Sequence, residues 1–174
     1  MIPEALWLAV QSEKSKPDPV AAFGIDAAPD LSWAAIVAAD SSGRAELVDY
    51  KRGTAWLAAR LDELVQRHGG VVALESSGPI GFLADRLTVP IDAFNTQQLA
   101  HACNELLDRI VDHRVSIRQS GAFDTAAKFA GKRRLVDRWL WQRSSEVDVS
   151  PLVALTMALA TAQTGYGEVG VMWL

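Results

Sequence analysis

The sequence has a single cysteine, Cys103, and only three histidines among its 174 residues. One cysteine excludes an intramolecular disulfide and a cysteine-rich zinc site. Cys103 recurs at helical spacing with Leu99, Leu106 and Ile110, which predicts a small buried thiol that packs like an alanine. We therefore expect any site in this chain to depend on other side chains.

Long apolar runs are missing as well. No stretch approaches the roughly 18 apolar residues needed to span a bilayer. Charged residues interrupt every candidate except the segment from Val149, which ends among Thr and Gln. The N-terminus has no basic region followed by an apolar run, so no export signal is predicted. A composition of 49% hydrophobic and 22% charged residues is typical of one globular domain, which we expect in the cytoplasm.

The chain also lacks an excess of positive charge, since its formal net charge is −4. A protein that holds nucleic acid by its overall field carries the opposite sign. The one local basic cluster comprises Lys128, Lys132, Arg133, Arg134 and Arg138. Two interpretations stay open for this cluster: it follows a DNA backbone, or it is a solvated charged loop.

Residues 1–20 contain three prolines and a segment rich in Ser and Lys, without sustained periodicity. This composition predicts a linker or N-terminal extension, although the apolar patch at 6–10 is suited to docking on the domain. The domain itself is expected over 21–174. Its first part has three strand-like runs in succession, at 20–25, 33–39 and 45–50, which predict an antiparallel meander.

The pattern downstream of the meander alternates between helix and strand. Apolar residues recur at helical spacing from a predicted N-cap at Thr54 to Gly69, and a fully apolar strand then follows. The remaining predicted elements are a short helix ending at Leu87, strands over 91–94 and 115–117, helices over 96–111 and 123–130, a basic turn over 131–134, an edge strand over 136–143, and a buried helix with Ser150 as its N-cap. This order predicts an α/β fold, with a mixed sheet flanked by helices, and resembles the ribonuclease H-like arrangement.

Two of the predicted buried strands end on an isolated acid, Asp26 in the first case and Glu75 in the second. Ligands gather at strand ends in such sheets, and clustered carboxylates repel one another unless a cation neutralises them. Neither acid has a lysine or arginine nearby in the sequence. Oxygen-only ligands favour Mg²⁺ or Mn²⁺ over zinc, so the pair predicts a site for one of these ions.

Asp148 is the third candidate acid, because it lies just before the last buried helix. Glu146 lies close to it and is the first alternative, and Asp30 and Asp92 are further ones, although a solvated turn after Pro29 explains Asp30 well. A structural interpretation also stays open for all of these residues. Aspartates at strand ends often bind turn amides, and Asp148 is well placed to complement a helix dipole.

The order of these signals resembles the nuclease domain of phage terminase large subunits, the motors that package and cut concatemeric viral DNA. The resemblance covers nearly the whole chain and implies a ribonuclease H-like fold. The matching pieces are Ile2-Pro3 with Trp7, the strand at 23–26, the segment 49–57, the strand ending on Glu75, and the segment 148–154.

The resemblance implies an endonuclease that depends on two divalent ions, Mg²⁺ or Mn²⁺, and cuts double-stranded DNA. The family's catalytic and metal-binding acids correspond to Asp26, as the bridging ligand, and to Glu75 and Asp148. The expected DNA-binding residues are Lys128, Lys132, Arg133 and Arg134. The implied partners are the terminase small subunit and the portal, in the host cytoplasm.

One departure from the family concerns ATP, because the sequence has no G-x-x-x-x-G-K-[ST] phosphate-binding loop. We therefore expect the chain to be the C-terminal nuclease portion of a longer protein that carries its own ATPase domain. The alternatives are another ribonuclease H-like nuclease, such as a junction resolvase, and a non-catalytic docking module of a packaging motor. A sugar kinase lobe is disfavoured because the glycine-rich phosphate-binding turns are missing.

Overall fold

The computed structural model describes residues 1–144 and 146–164. Its centre is a seven-stranded sheet in the order β1-β7-β4-β3-β2-β5-β6. The strands are β1 (Gln11–Ser12), β2 (Ala22–Ala27), β3 (Trp33–Ala39), β4 (Arg44–Arg52), β5 (Val71–Glu75), β6 (Ile91–Phe94) and β7 (Ser116–Arg118). The helices are α1 (Glu4–Ala9), α2 (Leu57–His68), α3 (Thr96–Val111), α4 (Gly121–Phe129) and α5 (Ser150–Gln163), with a short 3₁₀ helix at Gly81–Asp85.

The sheet combines both kinds of strand pairing. β2, β3 and β4 form the antiparallel meander that the sequence predicts, whereas β5 pairs parallel to β2 and β6 parallel to β5. On the other side, β7 pairs parallel to β4, and β1 parallel to β7. The predicted α/β fold, a mixed sheet made of a three-stranded antiparallel meander and parallel strands, is thus confirmed. No helix in the described part of the chain is long and apolar enough to cross a membrane.

Helices cover both faces of the sheet, which explains why β2 is apolar without alternation. Phe23 and Ile25 pack with α2 on one face, while Ala22 belongs to the cluster that includes α3 and α5 on the other. Because side chains alternate along a strand, Asp26 lies on the same face as Ala22. Asp26 therefore projects toward the layer that contains α5.

Gly24 allows α5 to lie directly on β2. A Cβ atom at position 24 would stand only 2.0 Å from the carbonyl oxygen of Ala154. Any other residue would therefore push the helix away from the strand that carries Asp26. As predicted, α5 is buried on almost every side.

The segment at 1–20 packs against the domain and forms α1 and β1. The indole Nε1 of Trp7, in the predicted docking patch, donates a hydrogen bond to Asp124 over 2.9 Å. Ile2 and Trp7 are buried. The boundary between linker and domain at residue 20 stays a prediction, but the apolar patch does dock.

The basic stretch at 131–134 is not the predicted turn. It belongs to β8 (Gly131–Leu135), which pairs antiparallel with β9 (Arg138–Gln142) in a separate two-stranded hairpin. The prediction was wrong because β8 is almost wholly exposed and lacks the alternation that marks a strand with one buried face. Cross-strand contacts stabilise it instead, including the Lys132 ammonium 4.3 Å from the ring centre of Trp139.

Two predicted helix starts were also wrong by a few residues. Helix α2 begins at Leu57 with Trp56 as N-cap, so Thr54 contributes only a backbone turn to the helix entry. Helix α5 has Val149 as N-cap, and Ser150 is already its first residue. The predicted capping role of the Ser150 side chain belongs to Asp148, whose side chain accepts a hydrogen bond from the Ser150 amide.

Candidate metal site

The register of the sheet aligns the two strand-end acids in one row. Asp26 pairs with Ala35 of β3, and Ala35 pairs with Tyr50 of β4. The parallel register of β2 and β5, continued by two residues, brings Glu75 level with Asp26. Paired residues point to the same face, so the side chains of Glu75, Asp26 and Tyr50 all lie on the face toward α5.

One guanidinium group connects the two acids. Arg143 Nη2 donates hydrogen bonds to Asp26 Oδ1 over 2.9 Å and to Glu75 Oε2 over 2.7 Å. Its Nε donates to Asp26 Oδ2 over 3.2 Å. Both carboxylates are thus aimed at one nitrogen atom, and the group carries one positive and two negative charges.

Burial separates the acids from the arginine that covers them. The side chains of Asp26 and Glu75 are 1% and 5% exposed, whereas that of Arg143 is 20% exposed. Burial raises the pKa of Asp26 to about 6, because the loss of hydration outweighs the attraction of the nearby Arg143. The two acids raise the pKa of the Arg143 guanidinium above its usual range, although burial opposes them. Arg143 therefore lies between the carboxylates and solvent as a permanent cation.

The loop after β5 leaves room around Glu75. Ser77 Oγ donates a hydrogen bond to Glu75 Oε1 over 3.3 Å, on the side away from Arg143. A Cβ atom on Gly78 would come within 2.9 Å of Glu75 Oε2 and 3.3 Å of Arg143 Nη2. Glycine at this position therefore preserves the space in which the carboxylate and the guanidinium meet.

Asp148 lies at the Tyr50 end of the row and has other partners. The Tyr50 hydroxyl donates to Asp148 Oδ2 over 2.7 Å, and Ser150 donates to Asp148 from its amide and its hydroxyl. Burial and this hydrogen bond raise the pKa of Tyr50 above its usual range, so its hydroxyl stays a donor. Within residues 1–144 and 146–164, no three acidic, histidine or cysteine side chains form a group suited to a metal ion. The predicted trio is thus present as one close pair and a third acid held apart.

Glu146 lies near Asp148 but is less constrained. Both line a recess of about 310 Å³ that also includes Asp30, Trp33 and Tyr50. The Glu146 amide donates to Ser144 Oγ over 3.0 Å, and its carboxylate has no hydrogen bond to a described residue. The choice between Asp148 and Glu146 as third acid stays a prediction.

The predicted DNA-binding residues lie together on α4 and the β8–β9 hairpin. Lys128 is in the last turn of α4, and Lys132, Arg133 and Arg134 lie on β8. All four side chains are exposed. None of them forms an ion pair with a carboxylate in the described part of the chain. They add exposed positive charge to this region of a protein of net charge −4, with Lys132 and Arg134 on one face of β8 and Arg133 on the other, because side chains alternate along a strand.

The sequence does not reveal Arg143. It follows β9 directly and is separated from Asp26 by 117 positions and from Glu75 by 68. A buried pair of like charges requires a compensating cation, so a partner was to be expected on physical grounds. Nothing in the local pattern distinguishes Arg143 from the other arginines of the hairpin region.

Comparison with solved structures places the fold. The large terminase nuclease of thermophilic phage G20c has a TM-score of 0.65 at 14% identity, with 85% of each chain covered. The nuclease domain of the Thermus phage P74-26 large terminase has a TM-score of 0.63 at 13% identity, over 83% of this chain and 81% of that one. This chain has the fold of a large-terminase nuclease domain.

The large terminase of bacteriophage HK97 contains the same fold, with a TM-score of 0.68 at 14% identity. The match covers 92% of this chain but only 43% of the HK97 protein. The G20c nuclease has also been solved with bound cobalt and with bound magnesium. A scan against protein-family models gave no match, and a search of curated protein sequences gave none either.

Proposed function

We propose that the chain is a divalent-metal-dependent endonuclease that cuts double-stranded DNA during viral genome packaging. The observation that carries the proposal is the convergence of Asp26 and Glu75 on one buried point, at the end of a sheet with the large-terminase nuclease fold. Buried like charges at such a point are costly without a cation, and strand ends are where ligands bind in mixed sheets.

The donor atoms suit a hard divalent ion. Asp26 and Glu75 offer carboxylate oxygens only, the ligands that Mg²⁺ and Mn²⁺ prefer. The ion pairs of Arg143 with both acids support this choice, because they place a positive charge between the two carboxylates. The magnesium and cobalt bound by the G20c nuclease support the same choice of ion. Asp26 and Glu75 would hold the metal, with Asp148 as the third acid and Glu146 as its alternative.

Two such ions, held by Asp26, Glu75 and the third acid, would supply an activated water and would stabilise the departing 3′ oxygen of a phosphodiester. The chain's own residues prepare this chemistry. Asp26, with a pKa of about 6, is ionised at neutral pH, Ser77 orients Glu75, and Tyr50 fixes Asp148 at the mouth of α5. No side chain is needed as a covalent nucleophile.

The basic surface formed by Lys128, Lys132, Arg133 and Arg134 is proposed to hold the DNA backbone. Its exposed charges compensate locally for the negative net charge of the chain. Neutralising all four with glutamine is expected to lower the salt dependence of DNA affinity by about three to four ion equivalents. This slope is measured by the fluorescence anisotropy of labelled duplex DNA between about 50 and 200 mM salt. Arg67→Gln is the control, because Arg67 is exposed in the last turn of α2, which packs on the other face of the sheet.

We also propose binding partners for the chain. A large terminase acts in the host cytoplasm with its own ATPase domain, the small subunit and the portal. The match to less than half of the HK97 large terminase supports a place for this fold within a longer protein.

A second function is favoured by one specific observation. Arg143 already compensates the charges of Asp26 and Glu75, and such a bridge is what a purely structural ion cluster would have. In this alternative the chain is a non-catalytic docking module of a packaging motor.

Plasmid cleavage separates the two functions. Supercoiled plasmid is incubated with the chain and Mn²⁺, Mg²⁺ or chelator, alongside Asp26→Ala. We expect nicking and linearisation that require metal and disappear in the variant. Absence of cutting by the folded protein with either ion would favour the docking module.

A further inference from the structure

Arg143 lies against the same two acids that are proposed to bind the metal, at short distances from both. Arg143 Nη2 stands 2.9 Å from Asp26 Oδ1 and 2.7 Å from Glu75 Oε2. A Mg²⁺ ion shared by these oxygens would lie about 2.1 Å from each of them. The point that satisfies both oxygens is the region where the nitrogen now lies. An ion and the guanidinium cannot occupy it together.

The charges of the groups also oppose the presence of an ion and the guanidinium in the site together. A dication placed beside a guanidinium in a buried site would repel it strongly, because little solvent screens the pair. Two carboxylates and one guanidinium leave a net charge of −1, whereas two carboxylates and one dication are neutral. Exchange of Arg143 for one dication leaves the two carboxylates neutralised, whereas a dication added beside Arg143 would give a net charge of +1 and place two cations in contact.

The chain also gives Arg143 a way out. The residue lies one position beyond β9, outside regular secondary structure, and is the most exposed of the three charged side chains. The long side chain of arginine changes direction by rotation about its own bonds. Removal of the guanidinium therefore requires no rearrangement of the sheet.

We propose that Arg143 is an internal cation that competes with the divalent ion for the Asp26–Glu75 site and leaves the site when the ion binds. The inference rests on the metal site of the proposed function. Part of the intrinsic affinity of the carboxylates for metal is spent on displacing the arginine. In the metal-free protein Arg143 stays hydrogen-bonded to both carboxylates, and entry of the ion requires it to leave.

Metal affinity is the direct test. Mn²⁺ is titrated into chelator-treated protein, and the free ion is followed by electron paramagnetic resonance. Arg143→Gln is expected to bind Mn²⁺ at least tenfold more tightly than the natural chain. Arg143→Lys keeps the charge but loses the two-pronged contact, and is expected to be intermediate. Arg67→Gln is the matched control and should bind as the natural chain does. Equal or weaker binding by Arg143→Gln would overturn the proposal.

Thermal unfolding gives a second readout that a merely structural arginine would not produce. In chelator, Arg143→Gln is expected to unfold at a lower temperature, because two buried carboxylates lose their partner. Saturating Mn²⁺ is expected to raise its Tm more than that of the natural chain, since tighter binding to the folded state stabilises it more. If the Tm of Arg143→Gln is below that of the natural chain by the same amount with and without Mn²⁺, Arg143 does not compete with the ion. If Arg143→Gln does not fold, the Mn²⁺ affinity and Tm of Arg143→Lys decide.

A parallel Mn²⁺ titration of Asp26→Asn distinguishes the loss of the competition from the loss of the metal site itself. If Asp26→Asn loses Mn²⁺ binding while Arg143→Gln and the natural chain bind equally, the site stands and the competition falls. If Asp26→Asn binds Mn²⁺ as well as the natural chain does, the proposed metal site falls, and the competition falls with it.

Discussion

Asp26 and Asp40 are two buried aspartates at opposite ends of the β2–β3 ribbon, 1% and 2% exposed, and their surroundings differ in kind. Asp40 accepts hydrogen bonds from Ser42 and Arg44, through both backbone and side chain, and from the amide of Asp18. Although burial acts to raise its pKa, these hydrogen bonds lower it. Asp26 relies mainly on Arg143, 117 positions away, and its pKa is raised.

The difference separates a structural acid from a candidate functional one. Asp40 is satisfied by its own turn, so its charge is stabilised where the chain folds. Asp26 is placed at a strand end, beside a second acid, and is neutralised by a side chain that can leave. A buried acid that is poorly satisfied by its own segment is available to bind something else.

The largest expected effect tests this contrast in cleavage. Asp26→Asn and Glu75→Gln are expected to reduce metal-dependent plasmid cutting by about 1000-fold or more, because the loss of a metal ligand removes several kcal/mol of transition-state stabilisation. Asp40→Asn should cut at the natural rate per folded molecule. The rate of loss of supercoiled plasmid measures both. Similar losses in all three variants would abolish the distinction.

Stability is expected to show the reverse ranking. Asp40→Ala leaves several buried donors without a partner and should lower the free energy of unfolding by about 3 to 4 kcal/mol. Asp26→Ala in chelator should cost about 1 kcal/mol or less, since it also relieves the burial of a carboxylate. Urea unfolding in chelator gives both values. A larger cost for Asp26→Ala would mean that Asp26 is the structural acid.

The two aspartates should also differ in the sign of their pH dependence. Asp26 binds a proton more tightly when folded, since its pKa rises from 3.8 to about 6. Its contribution to stability is therefore present at acid pH and decreases as the pH rises from about 4 to 6, by about 2 to 3 kcal/mol. Asp40, with a lowered pKa, stabilises the fold above pH 4 and loses that contribution as the pH falls below it.

This difference is measured as the unfolding free energy of the natural chain minus that of Asp26→Asn, or of Asp40→Asn, in chelator at each pH. The difference for Asp26→Asn should fall with rising pH, and the difference for Asp40→Asn should rise. If both differences change with pH in the same direction, the contrast between the two aspartates is wrong.

The smallest expected effect concerns the third acid. Tyr50→Phe removes one hydrogen bond to Asp148 and should cost about 1 kcal/mol of stability. A double-mutant cycle with Asp148→Asn should give a coupling free energy of similar size. If Asp148 is the third acid, Tyr50→Phe should also slow cleavage severalfold. An unchanged cleavage rate in Tyr50→Phe would favour Glu146 as the third acid.

Much of this architecture follows from local pattern. The apolar runs that end on Asp26 and Glu75 predicted the central strands, and helical spacing around Leu99 and Cys103 predicted α3. These signals are strong because burial on one or both faces imposes a period on the sequence. Strand β8 was missed because an exposed, arginine-rich strand carries no such period, whereas the predicted edge strand over 136–143 corresponds to β9.

The site was predictable in part for a similar reason. Strand ends identify Asp26 and Glu75, and the register of parallel and antiparallel strands brings them level. Arg143 was not predictable, because its role depends on how the chain returns after the hairpin. The surroundings of Asp148 are also a tertiary result, since its partner Tyr50 on β4 is 98 positions away in the sequence.

Anomalous diffraction from crystals soaked in Mn²⁺ tests the central claim most directly. The account predicts a peak bonded to one oxygen each of Asp26 and Glu75, with the Arg143 guanidinium withdrawn from both. A fully occupied soak with no peak between these carboxylates, and with the bridge from Arg143 intact, would contradict it.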